Sequence, residues 1–199
     1  MFFETGKIPP ELRYDPFKAI VAPRPIGWIS TLSATGVPNL APYSFFNAVG
    51  DDPPYVMFSS EGRKDSLVNI EATGEFVFQL VTEALWPAMN ASAATVAPEV
   101  DEFALAGLAT APCRLVRPPR VGNSPAAFEC RLWRTLVLPE GSASGAVYTI
   151  VIGKVLATHI DDAFVVDGRL DTAAMRPMAR LGGSEYAIVE RAVKLVRPK

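Results

Sequence analysis

The sequence predicts a mostly β, barrel-like fold with short peripheral helices, and three observations lead there. Apolar runs are short and alternate with polar residues, as in half-buried strands, rather than recurring every three or four residues over long stretches. Turn signals separate these runs closely. Eighteen prolines and 14 glycines among 199 residues interrupt any long helix. At 49% hydrophobic and 20% charged residues, the chain has the composition of a folded domain with a substantial core. We expect one domain over residues 1–199, with an excursion from the barrel at about 82–125.

The elements follow in order. Ile26–Leu32 reads as a strand, Ser33–Gly36 as a turn, and Val37–Phe46 as a returning strand broken by Pro38 and Pro42. Proline cannot donate to a ladder, so this strand belongs at an edge, or is bulged or irregular. A turn at Asp51–Pro54 leads to a strand at Tyr55–Ser60, and the three strands together suggest a meander. A short helix follows, with Asp65 or Ser66 as N-cap, Leu67 and Ile70 on one face, and Gly74 at the C′ position. Glu75–Val81 alternates as a strand. Thr82–Pro125 is rich in alanine and proline, with helical pieces around Leu85–Ala93 and Val100–Ala106.

Ala127–Leu138 is a strand with Phe128, Cys130 and Leu132 on one face and Glu129 and Arg131 on the other. Glu140–Gly145 connects it to a long strand at Val147–Ile160, apolar on both faces as far as Ile152. That is the pattern of a strand covered on both sides, for which a subunit interface is one explanation. Phe164–Val166 and Asp167–Gly168 give a last short strand and turn, and Arg180–Tyr186 a glycine-rich loop.

Several function classes drop out. The formal net charge of −2 and the lack of a basic-aromatic stripe argue against nucleic acid. The N-terminal residues lack a signal-like apolar region, and no apolar run is long enough to span a membrane, so a cytoplasmic location is expected. Cys113 and Cys130 are expected to be reduced. A single histidine, His159, excludes metal sites that need two or three, and no metal is expected. No nucleophile elbow, Rossmann glycine fingerprint or P-loop is present.

Two constellations remain. Ser59–Ser66 joins a strand end to a helix start, where open N–H groups and the positive dipole end favour a phosphate. The hydroxyls of Ser59, Ser60 and Ser66 and the cations Arg63 and Lys64 would complete such a site; a plain solvated turn is the alternative. Gly27–Leu32 with Ala41–Asn47 mixes small, hydroxyl and aromatic residues ending in an amide. That suits a flat heteroaromatic ring, although on these residues alone an ordinary core, with Asn47 capping a turn, is the favoured reading.

These segments carry a resemblance. Arg24–Ser33 (RPIGWISTLS), Gly36–Val49 (GVPNLAPYSFFNAV), Asp51–Ser60 (DDPPYVMFSS) and Arg63–Val77 (RKDSLVNIEATGEFV) resemble the flavin reductase-like, FMN-binding split-barrel family. Echoes at Met89–Ser92, Val100–Leu108, Gly153–Asp162 and Ala179–Ala187 follow in the same order. The resemblance implies a split β-barrel, Greek-key-like, and a homodimer with flavin at the subunit boundary. It implies that Ser59, Ser60, Arg63, Lys64, Asp65 and Ser66 hold the FMN phosphate, and that Thr31, Tyr43, Ser44 and Asn47 line the ribityl chain and ring. Asn90 would approach the ring from the excursion, and Arg180–Tyr186 would border the pocket. His159 would lie near flavin and nicotinamide as a catalytic candidate, the alternative being a strand-end residue beside Asp161 and Asp162. The function implied is NAD(P)H-dependent flavin reduction, with NADH or NADPH as transient reductant. The alternative is a flavoredoxin-like electron carrier that serves a redox protein partner. Ser66 stands where many members have threonine, and Gly50 where a polar residue is frequent.

Overall fold

A computed structural model describes residues 1–198. Strands β1 (Gly27–Leu32), β2 (Pro38–Tyr43), β3 (Phe46–Asp51), β4 (Pro54–Glu61), β5 (Glu75–Gln79), β6 (Ala126–Val137) and β7 (Tyr148–Ile160) form one antiparallel sheet. Their order is β2-β1-β5-β6-β7-β4-β3. The two edge strands are therefore consecutive in the chain, joined only by Ser44 and Phe45. A link that short forces the sheet to curl until its edges meet. The Ser59 N–H, on β4, donates to the Phe45 carbonyl at 2.9 Å, which extends the β3–β4 pairing by one rung into that link.

This corrects two expectations. The second strand stops at Tyr43, and Phe46 opens another strand that turn chemistry alone did not separate. The first strands are also not a meander: β1–β2 and β3–β4 are hairpins at opposite ends of the sheet. The prolines explain the edge position of β2, since Pro38 and Pro42 have no N–H to give a second neighbour.

The barrel interior is aromatic. Phe46 stacks on Phe78 with centroids 4.6 Å apart, and Tyr43 tilts against Phe58 at 4.5 Å. Each buried aromatic contributes about 1.5–3 kcal/mol. Two glycines make room for them: a Cβ on Gly27 would lie 2.4 Å from Phe46, and one on Gly153 would lie 2.3 Å from Phe76. Gly153 also sits at a register shift in the β6–β7 pairing, where the long strands bend.

Helix α1 (Asp65–Thr73) closes one end, with Leu67 and Ile70 in the barrel core. Gly74 ends it in the left-handed conformation, φ +74°, and donates to the Ile70 carbonyl. The N-cap is Lys64, not Asp65 or Ser66, and it makes no side-chain cap. The excursion supplies α2 (Trp86–Ala91) and α3 (Glu102–Leu105), both shorter than the sequence suggests. They build a second core from Trp28, Leu40, Leu85, Met89 and Phe103. Glu102 accepts the Leu40 N–H at 3.0 Å, which covers part of the open edge of β2.

The expectation for β7 needs refinement. Thr149 and Val151 are buried inward, whereas Ile150 and Ile152 on the other face are only half-buried. That face continues into β6, where Leu136, opposite Ile150, is 50% exposed and Trp133 is 59% exposed. A small sheet of Arg24–Pro25, Met178–Arg180 and Tyr186–Ile188 ties the C-terminal region to the start of β1. Both cysteines are free thiols. Among the described residues no helix is long and apolar enough to cross a membrane.

Candidate functional site

The turn from β4 into α1 shapes the site. Gly62 adopts φ +76°, and the Ser60 hydroxyl donates to the Gly62 carbonyl at 2.9 Å, fixing the turn. The chain then enters α1 through extended Lys64. Because Lys64 provides no cap, the N–H groups of the first turn stay open to a ligand, with the helix dipole behind them. Above this end lies a cavity of about 320 Å³, lined by β2, by Arg63–Ser66 and by the stretch from Ser92 to Val96. That is at the lower end of ligand pockets.

The walls are held by a buried polar chain. The Asn39 side-chain amide donates to the Ser66 hydroxyl at 2.9 Å and to the Thr31 hydroxyl at 3.0 Å. Asn69 donates to the same Thr31 oxygen at 3.0 Å. Ser66 thus accepts from behind, at the wall of the cavity. The Tyr43 hydroxyl is buried and has no hydrogen-bond partner in the protein. The Ser66 and Ser60 hydroxyls lie beside it without hydrogen-bond geometry and pull its pKa down, but burial outweighs them and raises it, so the phenol stays neutral. Lys64 Nζ lies 5.9 Å from the Tyr43 ring centroid. Arg63 pairs with Glu71 at 2.7 Å on the surface, a contact worth at most about 1 kcal/mol and easily exchanged.

Asp65 and Glu102 bring negative charge to the same cavity. Burial raises the Glu102 pKa, the Leu40 N–H opposes that, and the charges of Asp65 and Asp101 add to it. A smaller cavity of about 140 Å³ adjoins the first, with Pro42 and Ala93 lining both. Its walls include Ser44, Met89, Arg180 and Tyr186. Arg180 Nη1 donates to the Tyr186 hydroxyl at 2.6 Å and its guanidinium stacks on that ring.

The structure therefore gathers Tyr43, Arg63, Lys64, Asp65 and Ser66 around one cavity and Ser44 around its extension. Ser60 is buried in the turn and Thr31 is an interior strut. Ser59 is half-buried on β4, and neither it nor Asn47 and Asn90 lines either cavity. Asn47 is exposed on β3 and accepts the Ala48 N–H. Asn90 is exposed on α2, and the excursion contributes Ser92–Val96 instead. Sequence reasoning missed Asn39 and Glu102; the signal for Asn39 was an amide within an otherwise apolar edge strand.

His159 belongs to a different place. It lines a separate cavity of about 520 Å³, with its Nε2 2.6 Å from Glu129 Oε1. Glu129 is wholly buried and accepts the N–H groups of Arg114, Leu115 and Val116 at 2.8, 2.5 and 3.1 Å. Burial pushes its pKa up, but the Arg114 N–H, His159 and the Leu115 N–H outweigh burial and hold it below the usual range. The alternation of β6 places Glu129 on the face opposite Phe128, Cys130 and Leu132, and the Cys113–Val116 loop covers it there.

A curled antiparallel sheet with an open helix N-terminus at its seam is the split-barrel architecture of flavin-binding oxidoreductases, and comparison with known proteins bears this out. The chain belongs to the flavin reductase like domain family, which matches residues 21–171. An uncharacterized protein of Aquifex aeolicus is 36% identical over 84% of this chain and 85% of its own. Nitrilotriacetate monooxygenase component B from Bacillus cereus superposes with a TM-score of 0.89 at 28% identity, covering 98% of both chains. The 2-nitrobenzoate 2-nitroreductase NbaA of Pseudomonas fluorescens does so with 0.85 at 26%, over 100% of this chain and 96% of the other. These relations support a flavin cofactor and flavin-dependent oxidoreductase chemistry.

Proposed function

We propose that this chain binds FMN and acts as an NAD(P)H-dependent flavin reductase. The observation that carries the reading is the uncapped start of α1, with Lys64, Ser66 and Tyr43 lining one cavity beside it. A phosphate monoester supplies the acceptors that these donors lack. Lys64, Ser66 and the first-turn amides of α1 would hold it, and Arg63 would exchange Glu71 for it. The adjoining cavity beside Ser44, Met89 and Tyr186 would take the ring. Bound flavin would supply the two-electron chemistry that a reductase of NADH or NADPH needs. The protein orients it and excludes water. No step is assigned to His159, whose Nε2 is engaged by Glu129 elsewhere.

The test is an absorbance titration of the purified chain with FMN, followed by anaerobic NADH or NADPH. Binding with bleaching by either nucleotide is expected. Binding without bleaching by either would overturn the reductase reading and leave a flavoredoxin-like carrier. No binding at all would overturn both.

The homodimer belongs to the same proposal. Trp133, Leu136 and the half-buried Ile150 and Ile152 leave an apolar outer face on β6 and β7 that a second copy would cover. Leu136→Arg is expected to convert a dimer to a monomer in sedimentation. An unchanged mass would remove this face as the interface.

A further inference from the structure

We propose that Cys113, Glu129 and His159 form a binding site for a thiophilic divalent cation of the zinc class. The Cys113 thiol sulfur, a Glu129 carboxylate oxygen and a His159 ring nitrogen all lie within 4.8 Å of one another. They come from three separated parts of the chain: the loop before Arg114, β6 and the end of β7. One tetrahedral ion with bonds of about 2.0–2.3 Å can reach all three donors, the His159 nitrogen and Glu129 oxygen, 2.6 Å apart in a hydrogen bond, separating as it enters.

The surroundings are those of a built site. Three backbone N–H groups orient Glu129 and occupy most of its lone pairs, leaving Oε1 directed at His159. Such outer contacts fix a ligand's position before a metal arrives. The adjoining cavity gives entry, and room for water as a fourth ligand. Arg114 and Arg120 also line that cavity and oppose a free cation, while Asp161 favours one. Selection therefore rests on the fixed donor set rather than on the cavity's overall charge.

Without a cation, His159 Nε2–H donates to the Glu129 carboxylate. On binding, that proton and the thiol proton pass to solvent. The imidazole nitrogen, the thiolate and the carboxylate each give one electron pair, and the two anionic ligands balance the dication. The centre would clip the Cys113–Val116 loop to the sheet, independently of any ligand beside α1.

Cobalt(II) is the probe, because its bond to thiolate gives a near-ultraviolet charge-transfer band and its tetrahedral complexes absorb visibly. Titration of the full metal-free chain should saturate at one equivalent, and zinc(II) should bleach the spectrum. Cys113→Ser should abolish the charge-transfer band, and Cys130→Ser should keep it. His159→Gln should weaken binding by about tenfold or more, and serves if Cys113→Ser does not fold. Absence of the band, its persistence in Cys113→Ser, or unchanged affinity in His159→Gln would overturn the proposal. Because FMN binding is read separately at its own absorbance, failure here leaves the flavin reading standing.

Discussion

Two places on the same barrel collect backbone N–H groups, and they treat them in opposite ways. At the Cys113–Val116 loop, three successive N–H groups from Arg114, Leu115 and Val116 close on the Glu129 carboxylate, an anion that the chain itself provides. At the start of α1, Lys64 leaves the first-turn N–H groups without a side-chain acceptor. The first arrangement is complete within the protein, so its primary effect is on folding. The second lacks its anion, so its effect should appear when a ligand binds. Substitutions in the two places should therefore separate stability from affinity.

The largest effect is expected at Glu129. Glu129→Ala leaves three N–H groups and His159 without their acceptor, and loss of a buried charged partner typically costs about 3–5 kcal/mol. Urea unfolding should show that loss, with little change in FMN affinity per folded molecule. The pH dependence has a definite sign. The folded pKa of Glu129 is depressed below the reference 4.5, so its contribution is present above that pH and is lost as pH falls through the folded value. Glu129→Ala should remove that part of the acid sensitivity.

Lys64→Ala should show the reverse. Lys64 is exposed and caps nothing, so unfolding stability should stay within about 0.5 kcal/mol. Loss of a charged hydrogen bond to phosphate, about 1.5–3 kcal/mol, should weaken FMN roughly 10–100-fold. Riboflavin, which has no phosphate, should bind both forms alike. Equal weakening for riboflavin would place Lys64 away from the phosphate.

Tyr43→Phe lies between the two. Its hydroxyl is buried without a partner, and an unsatisfied buried hydroxyl costs about 1–3 kcal/mol. The ligand-free variant should be as stable as the parent or more so, by up to about 1 kcal/mol. FMN binding should weaken by a similar amount. A variant that loses stability without ligand would mean that Tyr43 is satisfied within the protein.

The contrast between these regions also marks what the residues disclosed in linear order. Most barrel strands were legible because their alternation and turn residues are local, and the phosphate end of the site because Ser59–Ser66 is contiguous. The split of Val37–Phe46 into two edge strands was hidden, since the corner at Ser44–Phe45 has no glycine or proline and follows from closure of the sheet. Asn90 was singled out from its local motif, but α2 turns it outward and carries the chain on to Ser92–Val96. The β6 alternation places Glu129 only on the face opposite Phe128, Cys130 and Leu132. Nothing within ten residues shows that a loop 13–15 positions earlier folds over it. Cys113, Glu129 and His159 share no motif spacing, and only the β6–β7 pairing and that loop bring them together.

The smallest effect is expected at Glu102, where the two kinds of behaviour meet. Burial raises its folded pKa above the reference 4.5, so the folded state favours the proton and ionised Glu102 costs stability as pH rises past that value. Glu102→Gln keeps an acceptor for the Leu40 N–H and removes the charge. Above pH 4.5 the variant should gain a few tenths to about 1 kcal/mol over the parent, and the gain should vanish below it. Because Glu102 lines the same cavity as Lys64 and Ser66, the variant should also bind FMN slightly more tightly at neutral pH. A stability gain with unchanged FMN affinity would mean that the bound phosphate lies beyond the reach of the Glu102 charge, and would move it toward Arg63.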